Sequence, residues 1–271
     1  MRAGARRDRA FDGTRGALEA LGAAGARVSV RVIDLDSGED LLAIDPDVIL
    51  PVAGLGVVPL LVEVAARLER GTLDAAERVE RVGAEADVRD SGGAAGLWRR
   101  LTVPALPVAD AAVLVAASSD AVAADALRAR VGADAVRQRA AQLGVDEAGG
   151  VEAATGALAP LFAALVNAQL VSPAVSAQVA EWLSLNQDLA LVAAGMGLDP
   201  FAHDDDRHGL LFVNKTGRAD GIRAEAGALA GPRAGAAYAV TVVFDDVSIV
   251  HRLRAHDALH ALGIDLMEYT H

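Results

Sequence analysis

Val28, Val30 and Val32 alternate with Ser29 and Arg31, the period of two that a half-buried strand requires, so a strand is expected over residues 28–35. Asp36-Ser37-Gly38 reads as a hairpin turn into a second strand over 41–44. From about residue 55 to residue 200 the apolar positions recur every three or four residues instead. Helices are expected over 60–70, 108–117, 121–131, 133–143 and 156–166, with an opening helix over 8–21. Gly144 stops one of them, and Ser172-Pro173 places a capping hydroxyl and an N1 proline ahead of another. Alternation returns over 210–214, 222–229 and 236–244, before a last helix from about 247 to 262. Strands at both ends with helices between predict a mixed α/β (α+β) fold. One antiparallel sheet, flanked by helices, is built from residues 1–50 plus 207–271, and an all-helical domain of residues 51–206 is inserted into it.

Composition narrows the function classes. The chain has 271 residues, 53% of them hydrophobic, enough for a sizeable core. Its 37 acidic and 25 basic residues leave a net charge of −12, which opposes nucleic acid and anionic membrane surfaces as partners. The absence of cysteine excludes disulfides, thiolate metal sites and a cysteine nucleophile. The longest apolar run, 48–62, is shorter than the roughly 20 residues of a membrane span and contains Pro51 and Pro59, so it reads as buried core. The basic stretch 1–10 is not followed by the apolar segment of a secretory leader. A cytoplasmic address is expected for the chain as written, and secretion if an upstream signal was removed.

Among the basic residues, 24 are arginine and one is lysine, Lys215. An alanine-rich chain that uses arginine for lysine carries the mark of GC-rich coding, so a retained lysine marks a position worth reading. Lys215-Thr216-Gly217 lies between two strand patterns, where an ammonium, a hydroxyl and a backbone N–H can converge on an anion. Upstream, Ser119-Asp120-Ala121 opens a helix after the apolar run 113–117. Further upstream, Pro51-Val52-Ala53-Gly54-Leu55-Gly56-Val57-Val58-Pro59-Leu60 leads into the first long helix, followed by Gly71-Thr72-Leu73-Asp74. In this order, with 65 positions from Gly54 to Ser119 and 96 from Ser119 to Lys215, the chain resembles the class A serine β-lactamases and their penicillin-binding relatives over nearly its whole length. That family carries a serine-x-x-lysine, a serine-aspartate-asparagine and a lysine-threonine-glycine in the same sequence.

The resemblance implies the fold, and it also implies what has been lost. The family's nucleophilic serine falls on Gly54, and the lysine that takes its proton falls on Val57. Ala121 stands where the family has asparagine. Only residues 145–154 are available for the loop that bears the family's deacylating glutamate, and Glu147 and Glu152 within it read as solvated carboxylates. A catalytically inactive homologue is therefore expected, with no cofactor. By resemblance, Ser119, Asp120, Lys215, Thr216, Gly217 and Arg223 would bind a small carboxylate or β-lactam-like ligand, or the residual pocket would take a protein partner. Equally open is a reading in which Lys215 and Ser119 only hold sheet and insertion together. The alternative function is a weak serine hydrolase, of β-lactamase or esterase type, using Ser119 and Lys215. The run from His203 to His208 reads as an exposed acidic turn, and His251, His256 and His260 as helix-surface residues, so no metal site is expected.

Overall fold

The structure, a computed structural model, describes residues 10–81, 96–146, 151–199, 209–245 and 248–271. The chain opens with α1 (Asp12–Ala23), then the hairpin β1 (Arg27–Asp34) and β2 (Asp40–Ile44). After β3 (Ile49–Pro51), a 3₁₀ turn over Ala53–Val57 feeds α2 (Val58–Glu69). The middle of the chain then carries β4 (Arg78–Glu80), β5 (Ala105–Pro107), α3 (Val108–Ser118), α4 (Ala121–Val131) and α5 (Ala133–Gln142). Next come β6 (Val145–Asp146), β7 (Glu152–Ala154), α6 (Thr155–Val166), α7 (Pro173–Ser184) and a second 3₁₀ turn over Val192–Met196. The chain closes with β8 (Leu211–Ala219), β9 (Ile222–Ala230), β10 (Gly235–Val243) and α8 (Ile249–Thr270).

β2, β1, β10, β9 and β8 form one five-stranded sheet in that order, and its four pairings are antiparallel. The two ends of the chain thus meet at the β1–β10 ladder, which runs from Arg27↔Val243 to Asp34↔Ala236. The intervening segment is mainly helical and adds two small pairings, β4 with β5 and the trio β3-β7-β6. Pro51 is tolerated because β3 is an edge strand, where a missing N–H breaks no ladder.

Alternation along each strand divides the sheet between two cores. Val213, Ala224, Ala226, Ala228, Ala237 and Ala239 face the helices of the middle segment, against residues such as Leu60, Trp98 and Phe162. Phe212, Leu229, Tyr238 and Val240 face the other way, onto α1, α8 and the Val192–Met196 turn. Alanine on the first face keeps that surface flat, so helix α6 lies close against β10 and β1.

Two elements run further than their sequence pattern predicts. β8 continues through the polar residues to Ala219, paired with β9 from Leu211↔Ala230 to Ala219↔Ile222, so Lys215-Thr216-Gly217 sits inside a strand. α8 continues past Gly263 to Thr270. Gly263 is there for contact rather than termination, since a Cβ on it would stand 2.0 Å from Val192 O.

Candidate functional site

Lys215 is fully buried, and its Nζ donates to the carbonyl oxygens of Ala116 at 2.7 Å and Val115 at 3.2 Å. Both are among the last carbonyls of α3, at the negative end of its dipole. Val115 O also accepts from Ser119 N at 3.1 Å, so the amine is a further donor to it, whereas Ala116 O takes its hydrogen bond from Lys215. Burial pulls the amine down from its ordinary 10.5 to about 7, opposed by the charge of Asp188.

Ser119 ends the same helix in the left-handed conformation, φ 55° and ψ 40°, which a non-glycine residue adopts at some cost. Its hydroxyl has no hydrogen-bond partner among the described residues, whereas that of Ser118 donates to Leu114 O at 2.8 Å. Asp120 is fully buried and caps α4, with Oδ1 accepting from Ala123 N at 2.9 Å. Its Oδ2 accepts from Trp98 N at 2.8 Å. Both oxygens are therefore committed to backbone, and Gly96 lies so close that a Cβ there would stand 2.3 Å from Oδ1.

Gly54 and Val57 lie on the 3₁₀ turn at the head of α2. Ala53 before them has a φ of +47°. β8 presses directly onto this turn: a Cβ at Gly54 would stand 2.7 Å from Thr216 O, and one at Gly217 would stand 1.9 Å from Val52 O. Distances under about 3 Å between a carbon and an oxygen are steric overlap, so backbone occupies the space a side chain at 54 would need. Gly56 is equally tight, against Val151 Cγ1. Val57 is half-buried and packs against the helical core.

Thr216 points to the opposite face of the sheet from Lys215, because neighbouring strand residues alternate. Its Oγ1 donates to Asp188 Oδ2 at 2.8 Å, and the other oxygen of Asp188 accepts from Arg218. The chain thus supplies a carboxylate of its own to Thr216. Arg223, opposite Arg218 in the β8–β9 register, shares that face and donates through Nη1 to Ala219 O and Ile222 O. The six residues expected to form one binding surface are divided: Lys215 reaches the carbonyls of Val115 and Ala116, Ser119 ends the same helix, Asp120 caps α4, Gly217 contacts Val52, and Thr216 and Arg223 turn away.

Sequence reading missed the polar group beneath Thr216. Glu225, directly across from it, is fully buried and accepts from Tyr238 OH at 2.7 Å, Asn214 Nδ2 at 2.9 Å and Val192 N at 2.9 Å. Asn186 Nδ2 in turn donates to Asn214 Oδ1 at 2.8 Å. Gly227 opens the route for Tyr238, whose OH would stand 2.8 Å from any Cβ there. Burial raises the Glu225 carboxyl to about 7, against the lowering effect of these donors. This network ties the segment carrying Asp188 to the sheet. A glutamate among Ala224, Ala226 and Ala228 was its one signal in the sequence.

Glu147 and the run from His203 to His208 lie outside the described residues. Glu152 is exposed on β7, and His251 stacks on Phe244 with ring centroids 4.6 Å apart. Among the described residues there is no cluster of three metal-ligating side chains, and no helix is long and apolar enough to cross a membrane.

Comparison with known proteins agrees with this architecture. A family model described as the β-lactamase enzyme family matches residues 15–270. No curated protein matches the chain. Among solved structures, a β-lactamase from Sphaerobacter thermophilus is similar with a TM-score of 0.80 and 20% identity, over 96% of this chain and 97% of its own. PBP-A gives 0.77 and 18% over 95% of each chain. A β-lactamase from Xanthomonas campestris pv. campestris gives 0.76 and 18% over 96% and 98%. At these identities the likeness speaks for the fold.

Proposed function

The chain belongs to the β-lactamase enzyme family, and from that premise we propose that it is a non-acylating member whose residual site serves binding or structure rather than turnover. The observation that carries this reading is at position 54, where the family's nucleophile would stand. Gly54 has no side chain, and Thr216 O lies 2.7 Å from the place its Cβ would take. Val57 supplies no base one turn later. Lys215, the residue that remains, already donates to two backbone carbonyls. A small carboxylate ligand would have to displace Asp188 from Thr216, because that hydroxyl is already engaged. Incubation with a fluorescent penicillin followed by intact-mass measurement is expected to leave the protein mass unchanged, with no hydrolysis of a chromogenic cephalosporin. A penicilloyl adduct overturns the reading.

A second reading, weak serine hydrolysis, is favoured by Ser119. Its hydroxyl is free of intramolecular partners among the described residues and sits at the helix end that Lys215 grips. An amine brought down to about 7 is substantially neutral at physiological pH and can accept a proton. Against this, Nζ makes no hydrogen bond to Ser119 Oγ in the structure. This reading predicts turnover of a nitrophenyl ester that disappears in both Ser119→Ala and Lys215→Met. Equal rates in wild type and variants would remove it.

A further inference from the structure

The turn between β8 and β9, the end of β10 and the first turn of α8 enclose a cavity of ≈ 70 Å³ whose walls include Asp220, Gly221, Arg223, Phe244, Ser248 and Arg252. A water needs about 10–15 Å³ on such a measure, so the space suits a group of a few heavy atoms. Gly221, at a φ of +69°, lets the turn close onto Phe244 O, which a Cβ would meet at 2.4 Å. Arg223 is fixed by its two carbonyl contacts, yet its Nε is buried without a partner. Arg252 is exposed on α8, and neither it nor Arg223 forms an ion pair among the described residues.

The charge balance at this spot runs against that of the chain. Burial, then Arg218, then Arg252 disfavour the charged form of Arg223, with Asp220 and Asp188 only partly offsetting them. His256 is depressed by burial and by the same three arginines. Three guanidinium groups therefore gather on one face of a molecule whose net charge is −12. Of the two nearby acids, Asp188 is already engaged by Thr216 and Arg218. Like charges brought together repel unless an anion lies between them. Planar guanidinium forks match the paired oxygens of a tetrahedral oxyanion better than any other side chain does.

We propose that this cavity binds a phosphate group, as free phosphate or as the phosphoryl end of a small monoester, held by Arg223 and Arg252. The site is distinct from the one around Lys215. Lys215 pairs with Ala226 and Arg218 with Arg223 in the β8–β9 register, which sets the lysine and the arginines on opposite faces of the sheet. It is also independent of whether the protein acylates.

The test is isothermal titration at constant ionic strength with inorganic phosphate, glycerol 3-phosphate and acetate, so that screening alone does not imitate binding. Saturable binding of one phosphate or one phosphate ester is expected, with acetate at least tenfold weaker. Tighter binding of the ester assigns the physiological ligand to the monoester class, and equal or tighter binding of inorganic phosphate assigns it to the free ion. Arg252→Gln, on an exposed helix position, is expected to weaken binding at least tenfold while leaving the melting curve in place. Arg223→Gln should weaken binding to the same degree, with some loss of melting temperature because its two carbonyl contacts go with it. Lack of saturation at tens of millimolar, acetate binding as tightly as phosphate, or phosphate binding unchanged in Arg252→Gln would each overturn the proposal.

Discussion

Gly54 and Gly217 face each other backbone to backbone. A Cβ on Gly217 would lie 3.2 Å from Gly54 N, and a Cβ on Gly54 would lie 3.5 Å from Gly217 Cα. Two residues earlier on the same strand, Lys215 fastens β8 to the end of α3. Contact at 217 and hydrogen bonding at 215 hold one strand against two separate parts of the helical segment. Ala53 accepts a left-handed backbone in the turn between them, a cost of roughly 1–2 kcal/mol that the surrounding packing must offset.

Restoring the family's residues is therefore expected to fail. Gly54→Ser combined with Val57→Lys returns a nucleophile and a base to the sequence, but the new Cβ at 54 overlaps Thr216 O and must push β8 outward. Overpacking of this kind costs about 1–3 kcal/mol. The double variant should melt several degrees below wild type and still show no penicilloyl adduct by intact mass. If it acylates, β8 yields more readily than this packing implies.

Lys215→Met removes the donor to Ala116 O, and one of two donors to Val115 O, while roughly keeping the volume of the side chain. One buried carbonyl, that of Ala116, would lose its partner, at about 1–3 kcal/mol for an unsatisfied group, while Val115 O keeps Ser119 N. The loss of an amine that is costly to bury works against this, most strongly at and below about pH 7. Near pH 10.5, where the amine of the unfolded chain is also largely neutral and this offset is small, urea unfolding should register a net loss of about 1 kcal/mol, with the m-value unchanged. A Lys215→Met protein as stable as wild type at that pH would show that the amine does not join the strand to α3.

The fold was largely legible because its signals are local. Alternation placed β1, β2, β9 and β10 within two residues, and the span 121–131 coincides with α4 because Asp120 caps it by a contact three residues long. Ser172 did the same for α7 through Val175 N. The site was less legible because its contacts join distant positions through groups every residue possesses. Lys215 was conspicuous in composition, but Val115 and Ala116 contribute only carbonyls. Asp188 meets Thr216 across 28 positions, on a segment with no period. Gly54 read as chemistry removed, and the structure adds that glycine is also what fits.

The pH dependence of stability offers a test of the two buried titratable groups together. Glu225, raised to about 7 from 4.5, keeps its proton in the folded state where the unfolded chain has lost it. Its contribution is thus full below about 4.5 and is lost as pH rises to about 7. Lys215, lowered to about 7 from 10.5, behaves oppositely. Its contribution is full above about 10.5 and is lost as pH falls to about 7. The two slopes meet near neutrality, so these groups impose a stability minimum close to pH 7, on the order of a few kcal/mol deep on either side. Urea unfolding at pH 5, 7 and 9 should give the smallest free energy at pH 7. Glu225→Gln should flatten the acid limb alone and Lys215→Met the alkaline limb alone. A maximum at pH 7, with both variants parallel to wild type, would mean that neither group is held in the state its burial dictates.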